Sequence, residues 1–340
     1  MINRLEIYSN INAGSGNEEN IVDQIKKDIK GKVKDIEINP IGNLIAKLPG
    51  KTNKNILLTA HMDEVSLMVR DIEENGLIKF SPIGGFIPKI LPATEVIIGK
   101  KKIAGAIAIK TLHFSSPAEL STADEIRDMY IDIGASSKAE ANGVQIGDYI
   151  YFKSKFFKQG SYLFGKAFDD RAGCCAITET ILSGPYDVSI YASYNVSEEV
   201  GLRGGYVCGF DVENLLFNLN LEGTTCSDRE VEQTYSPSTE LGKGPAFTIM
   251  DNSSIANRKL LNFAIEVAKK NNIPYQFKRT ITGGTDSGAI ALTESGIASI
   301  SLSVPVRYIH APWSIIHQQD FENYIKLAIA IVKEAHNFKL

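Results

Sequence analysis

Ser189-Ile-Tyr-Ala-Ser-Tyr-Asn-Val196 runs directly into Ser197-Glu198-Glu199-Val-Gly201, an apolar stretch followed by two adjacent carboxylates. The apolar run reads as a strand. Neighbouring strand residues point to opposite faces, so two carboxylates serving one site require the chain to leave its strand between them. Gly201 and Gly204-Gly205 permit such a bend. On this reading Glu199 is a metal ligand and Glu198 a general base acting on water that the metal activates. An isolated Glu pair is commonly just a solvated turn, so the rest of the chain has to decide between the two.

Outward from this stretch, apolar runs alternate with helical patterns. Asn43–Leu48 alternates like a strand, and Asn55–Ala60 is a short run of the kind buried on both faces, delivering His61-Met62-Asp63 at its end. Ser15-Gly-Asn-Glu18 resembles a capping box, which predicts a helix over 16–30. A helical pattern follows Gly165-Lys-Ala-Phe-Asp169-Asp170-Arg171 through Leu182. Leu216–Leu221 is a further strand ending in Glu222-Gly223, and Ala298–Val304 another, followed by Arg307-Tyr-Ile-His310. Helices are predicted over Asp251–Asn271, with Leu260, Leu261, Ala264, Ile265 and Ala268 on one face, and over Phe321–Phe338. Between Val69 and Leu163 the texture changes to short β-rich runs broken by Gly, Pro and Ser, the mark of a compact barrel or sandwich. The pattern implies an α/β protein: a mixed-sheet α/β/α domain made of residues 1–68 and 164–340, with a small β-barrel-like domain inserted over 69–163.

With 340 residues, 44% of them hydrophobic and 22% charged, the chain has the composition of an ordinary globular protein. Its formal net charge of −4, with no broad basic stretch, argues against nucleic-acid binding. No apolar run is long enough to span a bilayer, and the first residues lack the pattern of a signal peptide. Cys174, Cys175, Cys208 and Cys226 form no CxxC arrangement, and the vicinal pair reads as small core residues in a reducing, cytoplasmic compartment.

His61, Asp169, Glu199, Glu222 and His310 each lie just beyond an apolar strand or at a helix start. In open α/β sheets ligands gather at the carboxyl ends of the strands, so these distant residues can meet there. Two imidazoles and three carboxylates suit two zinc-like ions sharing one bridging carboxylate. Asp63 strengthens the reading of His61 as a ligand, because ligating imidazoles usually donate their second N–H to an orienting acceptor. Taken singly, each residue also has an ordinary reading as a core histidine, a helix-start acid or a turn residue.

Six segments, in order along nearly the whole chain, carry a resemblance: Thr59-Ala-His61-Met-Asp63-Glu-Val65, Gly165–Gly173, Ser197–Gly201, Leu221–Asp228, Gly283-Gly-Thr-Asp286-Ser-Gly288 and Arg307–Pro312. Together they resemble the tetrahedral metallo-aminopeptidases, the family of glutamyl and deblocking aminopeptidases, some of whose members have been labelled endoglucanases. The resemblance implies a site of two divalent ions, Zn2+ or Co2+ with Mn2+ also suited. His61 and Glu222 would hold terminal positions together with Glu199 and His310, while Asp169 bridges and Asp170 is the second candidate for the bridge. It further implies a cis peptide at Asp169-Asp170, Glu198 as general base, and Asp63 as the orienter of His61. Gly284, Thr285 and Asp286 are expected near the substrate, a peptide with a free amino terminus. The inserted domain resembles the family's dimerisation domain, which implies a homo-oligomer, a tetrahedral dodecamer built from dimers. Position 222 departs from the pattern, since many members carry aspartate there.

A metallo-deacylase, a glycosidase and a non-catalytic scaffold are the competing readings. A glycosidase would need a carboxylate pair flanking a sugar without metal dependence, and a scaffold that had lost its chemistry would show gaps in its ligands. Arg203, Arg229 and Arg279 are candidates to face the substrate pocket.

Overall fold

A computed structural model describes residues 1–114, 116, 124–210, 212–229 and 237–339. An eight-stranded mixed sheet forms the spine of the molecule. Its centre is four mutually parallel strands in the order Ser189–Asn195, Asn55–His61, Leu215–Thr225 and Ser299–Val306. Antiparallel Leu44–Leu48 and then Asp35–Ile38 extend one edge, and Ala246–Thr248 followed by Gln276–Lys278 extend the other. Asn55–His61 is buried along its whole length, as a strand covered on both faces must be. Leu44–Leu48 buries only alternate residues, matching its alternating sequence.

The helices Phe168–Leu182 and Gln318–Glu334 contribute Ala172, Ala176, Ile177, Phe321, Ile325 and Leu327 to the core against this sheet. Arg258–Lys270 buries Leu260, Leu261, Ala264, Val267 and Ala268, while Ile265 is only partly buried. It begins later than Asp251, because Asn257 is the cap, accepting from the Leu260 N–H at 3.1 Å. Asp251 instead closes a turn, accepting from the backbone N–H groups of Ser253 and Ser254.

The expected capping box at Ser15 and Glu18 does not form. The helix starts at Glu19 with no side-chain cap. Ser15 donates its hydroxyl to Asp63 Oδ2 at 2.6 Å, and Glu18 accepts from the Ser197 N–H at 3.1 Å. Burial against partners from other segments outcompeted the local pairing that the sequence offered.

Six strands from Ser66–Ile72 to Tyr149–Phe152 close into a barrel with a core of its own, including Leu67, Val69, Phe80, Val96, Ile131 and Ile150. Phe157–Gln159 and Tyr162–Gly165 then pair with Ser314–His317 in a three-stranded sheet. Cys174, Cys175, Cys208 and Cys226 are buried thiols. Among the described residues, no helix is long and apolar enough to cross a membrane.

Arg171, fully buried, ties the N-terminal segment to the sheet. Its guanidinium donates to the carbonyls of Tyr8, Ile11, Ala13 and Met62 and pairs with Glu64 at 3.4 Å. Arg171→Ala strands those carbonyls and leaves Glu64 with Lys166 as its one cationic partner among the described residues, beside the Ala13 N–H. Urea denaturation is expected to show a loss of about 3–5 kcal/mol, and a midpoint within error of wild type would refute this role.

Candidate metal centre

His61 closes its strand, and its flanking backbone is held from both sides. The Met62 N–H donates to the Asn195 carbonyl at 2.7 Å, and Arg171 donates to the Met62 carbonyl at 2.7 Å. Glu222 lies within Leu215–Thr225, paired with Ser303, not beyond a strand end as the sequence suggested. Its carboxylate is positioned by Asn220 on the same face, whose side-chain amide donates to Oε1 at 3.0 Å. Asp169 opens the helix Phe168–Leu182, where Ala167 has a φ of 56° and the Asp169-Asp170 peptide is cis.

The chain bends away from its strand before the Glu pair, not within it. Ser197 takes a φ of 57°, and the turn closes through the Gly201 and Leu202 N–H groups donating to the Glu198 carbonyl at 2.9 and 2.8 Å. Asp63, completely buried, holds the result by accepting from the N–H groups of Glu198 at 3.0 Å and Glu199 at 3.2 Å. Both carboxylates thereby reach one site.

Two clusters of residues able to hold a metal ion share Asp169. On one side His61 Nε2 is 3.3 Å from Asp169 Oδ1 and 3.8 Å from Glu222 Oε2. On the other, His310 Nε2 is 3.4 Å from both Asp169 Oδ2 and Glu199 Oε1. Glu198 Oε2 lies 3.9 Å from His61 Nε2. Asp170 turns away, its carboxylate accepting from the backbone N–H groups of Gly173 and His61. The far nitrogen of each imidazole is also engaged: His61 Nδ1 lies 3.0 Å from the Asp63 carbonyl and 3.4 Å from its carboxylate, and His310 Nδ1 lies 3.0 Å from the Gly85 carbonyl.

So dense a set of acids is electrostatically frustrated. Burial drives Glu198 and Glu222 well above the usual carboxylate range and Glu199 up to about 7, and nearby carboxylates add to each shift. Burial opposes the charged imidazoles, yet the surrounding carboxylates outweigh it, raising His61 and lifting His310 to about 9. Burial also works against ionised Asp169, but hydrogen bonds with His310 and His61 hold it below its ordinary value. Glu199 Oε1 is buried without a hydrogen-bond partner. An unsatisfied carboxylate oxygen amid nitrogen and oxygen donors fits divalent cations, which would replace the protons that otherwise relieve this crowding.

The cluster floors a cavity of about 510 Å³. Gly284 and Thr285 line it, whereas Asp286 is fully buried and accepts from the Asn195 side chain at 2.7 Å. Arg203, Arg229 and Arg279 are exposed and lie outside the lining. The basic residue that does line it is Lys278, which the sequence reading missed. Its position at the end of a three-residue edge strand leaves no periodic signal.

A model of M42 glutamyl aminopeptidases matches residues 42–327. The chain belongs to the M42 glutamyl aminopeptidase family. It is similar to the lysyl aminopeptidase of Pyrococcus furiosus, 33% identical over 322 residues that cover 92% of this chain and 90% of the relative. Among solved structures it is similar to an aminopeptidase from the archaeon Desulfurococcus kamchatkensis, with 31% identity and a TM-score of 0.92 over 98% of this chain and 94% of that one. A Pyrococcus horikoshii peptidase, described as assembling into a tetrahedron or a large octahedral shell, matches at 31% identity and a TM-score of 0.85 over 98% and 99% of the two chains. Membership in the M42 family supports hydrolytic aminopeptidase activity for this chain.

The raised groups make a signed prediction for the metal-free M42 protein. Between the ordinary glutamate value of 4.5 and about 9, where His310 titrates, the folded chain binds more protons than the unfolded one. Stability therefore falls as pH rises through this window. Asp169 and Asp63, lowered in the fold, contribute stability already complete above their ordinary value of 3.8. Thermal unfolding of chelated protein is expected to show a falling midpoint across this range, with the gain from added Zn2+ largest at the alkaline end. A midpoint that rises with pH would contradict the crowding described above.

Proposed function

We propose that this protein is a metal-dependent aminopeptidase that removes N-terminal residues from peptides. The observation that carries the reading is Asp169, whose two carboxylate oxygens are divided between His61 with Glu222 and His310 with Glu199. These five residues would hold two divalent ions, for which Zn2+, Co2+ and Mn2+ are all chemically suited. Ions held there would act as Lewis acids toward a peptide carbonyl and make water acidic enough to attack near neutral pH.

The chain's own groups supply the remaining steps. Glu198, whose Oε2 lies 3.9 Å from His61 Nε2, would take the proton of the attacking water and deliver it to the leaving amine. Asp63 orients His61 and holds the Glu198 and Glu199 backbone. The Gly283–Thr285 wall lies where substrate backbone can approach closely. The buried free thiols are consistent with a cytoplasmic enzyme. For the oligomer, the likeness to a shell-forming peptidase supports a tetrahedral dodecamer built from dimers, with the barrel domain as the dimerisation element.

Metal-stripped protein assayed on aminoacyl chromogenic substrates should regain activity with Zn2+ or Co2+, and only on substrates with a free amino group. Glu198→Gln should retain bound metal while losing about 10²–10⁴ of turnover. Full activity in that variant, or equal activity on amino-blocked substrates, would overturn the assignment. Separately, sedimentation should give a particle near twelve times the 37.2 kDa chain, and a species of one chain mass would exclude the shell.

A further inference from the structure

We infer that a cleft between the barrel and the N-terminal segment is a second ligand site, suited to a zwitterion, a free amino acid with an apolar side chain, and coupled to the candidate metal centre. It goes beyond the aminopeptidase reading and does not rest on it.

The cleft, about 630 Å³, lies within the roughly 300–1,000 Å³ of small-ligand pockets and shares no lining residue with the cavity over the metal cluster. One wall is the hairpin turn of residues 99–102 between the barrel strands Glu95–Ile98 and Ile103–Ala108. The other comes from residues 12–20, which lead into the helix Glu19–Ile29. The turn divides its three lysines. Lys101 lies across Gly143, where an added Cβ would meet its Nζ at 3.1 Å, whereas Lys100 and Lys102 line the cleft. Glu19 and Asp148 bring two carboxylates to the same lining. None of these four charged groups forms an ion pair among the described residues, although Lys153 and Glu95 of the same barrel pair at 3.1 Å. The side-chain amides of Asn12 and Asn20 are likewise without a hydrogen bond among the described residues. Two cations and two anions that leave one another unpaired suit a ligand carrying both charges. A phosphate would have to face the two carboxylates, and a simple cation the two lysines. Beside the charges, Ile97 and the rings of Tyr149 and Tyr151, stacked with centroids 6.0 Å apart, offer a surface for an apolar side chain.

The tyrosines that wall the cleft also hold the support of the metal cluster. The Tyr149 hydroxyl donates to the Ser15 carbonyl at 2.8 Å, and the Ser15 hydroxyl donates to Asp63 at 2.6 Å. Asp63 in turn accepts from the N–H groups of Glu198 and Glu199. The Tyr151 hydroxyl accepts from the Gly14 N–H at 3.1 Å and from the Asn17 amide at 2.7 Å. A ligand that bridges the hairpin turn and residues 12–20 binds best when these two bodies lie together, so its occupancy favours the arrangement in which the run from Tyr149 through Ser15 to Asp63 is complete. Free amino acids are also what an aminopeptidase releases, which would make the cleft a point where product acts back on the turn carrying Glu198.

The test is calorimetric titration of the full-length, metal-loaded protein with L-leucine, with L-leucinol, which lacks the carboxylate, and with 4-methylpentanoate, which lacks the ammonium. L-leucine should bind, and each analogue about 10-fold or more weakly, as expected for loss of a charge-assisted hydrogen bond. The double variant Lys100→Ala with Lys102→Ala should remove this binding event while melting near the wild-type temperature, since both side chains are exposed. Hydrogen exchange then reads the coupling. L-leucine should slow amide exchange over residues 196–202 in wild type, and the slowing should vanish both in the double variant and in Tyr149→Phe, which keeps the ring and should still bind L-leucine. Equal affinity for L-leucine and its two analogues, tighter binding of inorganic phosphate than of L-leucine, or a titration unchanged by the lysine substitutions would overturn the site. L-leucine binding that survives those substitutions and disappears on chelation would place the amino acid at the metal cluster, which also rejects it. Slowing that persists in Tyr149→Phe would reject the coupling. None of these readouts needs turnover, so failure of the aminopeptidase reading and failure of this inference remain distinguishable.

Discussion

The candidate site depends on one buried carboxylate that belongs to neither half of the His, Asp and Glu cluster. Asp63 accepts from the N–H groups of Glu198 and Glu199, from the Ser15 hydroxyl, and faces His61 Nδ1 at 3.4 Å. Burial alone would protonate it, yet these donors keep it ionised, below its ordinary value. An anion so placed does two things at once. It fixes the direction of an imidazole, and it pins a tight turn that aims two consecutive glutamates into one cavity, which extended backbone cannot do.

The same residue, through Ser15, joins the barrel to the eight-stranded sheet. Ser15, its partner, has its own carbonyl bound by the Tyr149 hydroxyl, and the Gly14 N–H donates to the Tyr151 hydroxyl, both tyrosines being on a barrel strand. From the other side, the Gly85 carbonyl orients His310. At the adjacent Gly84, with a φ of 86°, a Cβ would lie 2.8 Å from Val65 and 3.3 Å from the Cβ of Glu199. The barrel thus contacts the surroundings of both halves of the cluster, and a shift of one body against the other would be felt by the clustered side chains themselves.

Much of this architecture was legible because it rests on local patterns. The apolar runs ending at His61 and Asn195, the helix after Asp170 and the β-rich texture between them correspond to observed elements. So does the gathering of His61, Asp169, Glu199, Glu222 and His310, since parallel strands end on a common edge. The misreadings share one cause. Ser15 and Glu18 have the spacing of a capping box, yet Asp63 and Ser197 bind them from across the fold. Asp286 looked like a substrate residue in its Gly-rich loop, but Asn195 and burial claim it. Lys278 gave no signal because a three-residue edge strand has no periodicity to read.

By itself, then, the sequence determined the element order, the α/β class with its barrel, and the residue types from which a metal site could be assembled. Periodicity and strand-end chemistry are local, and local propensity expresses them directly. Only the tertiary structure decided which oxygen of Asp169 faces which imidazole, that Asp170 turns to the backbone, that the bend falls at Ser197, and that Lys278 looks into the cavity. Those outcomes are settled by competition among partners far apart in the chain. In a buried, low-dielectric interior the best-satisfied arrangement wins over whatever pairing the nearest residues would have made.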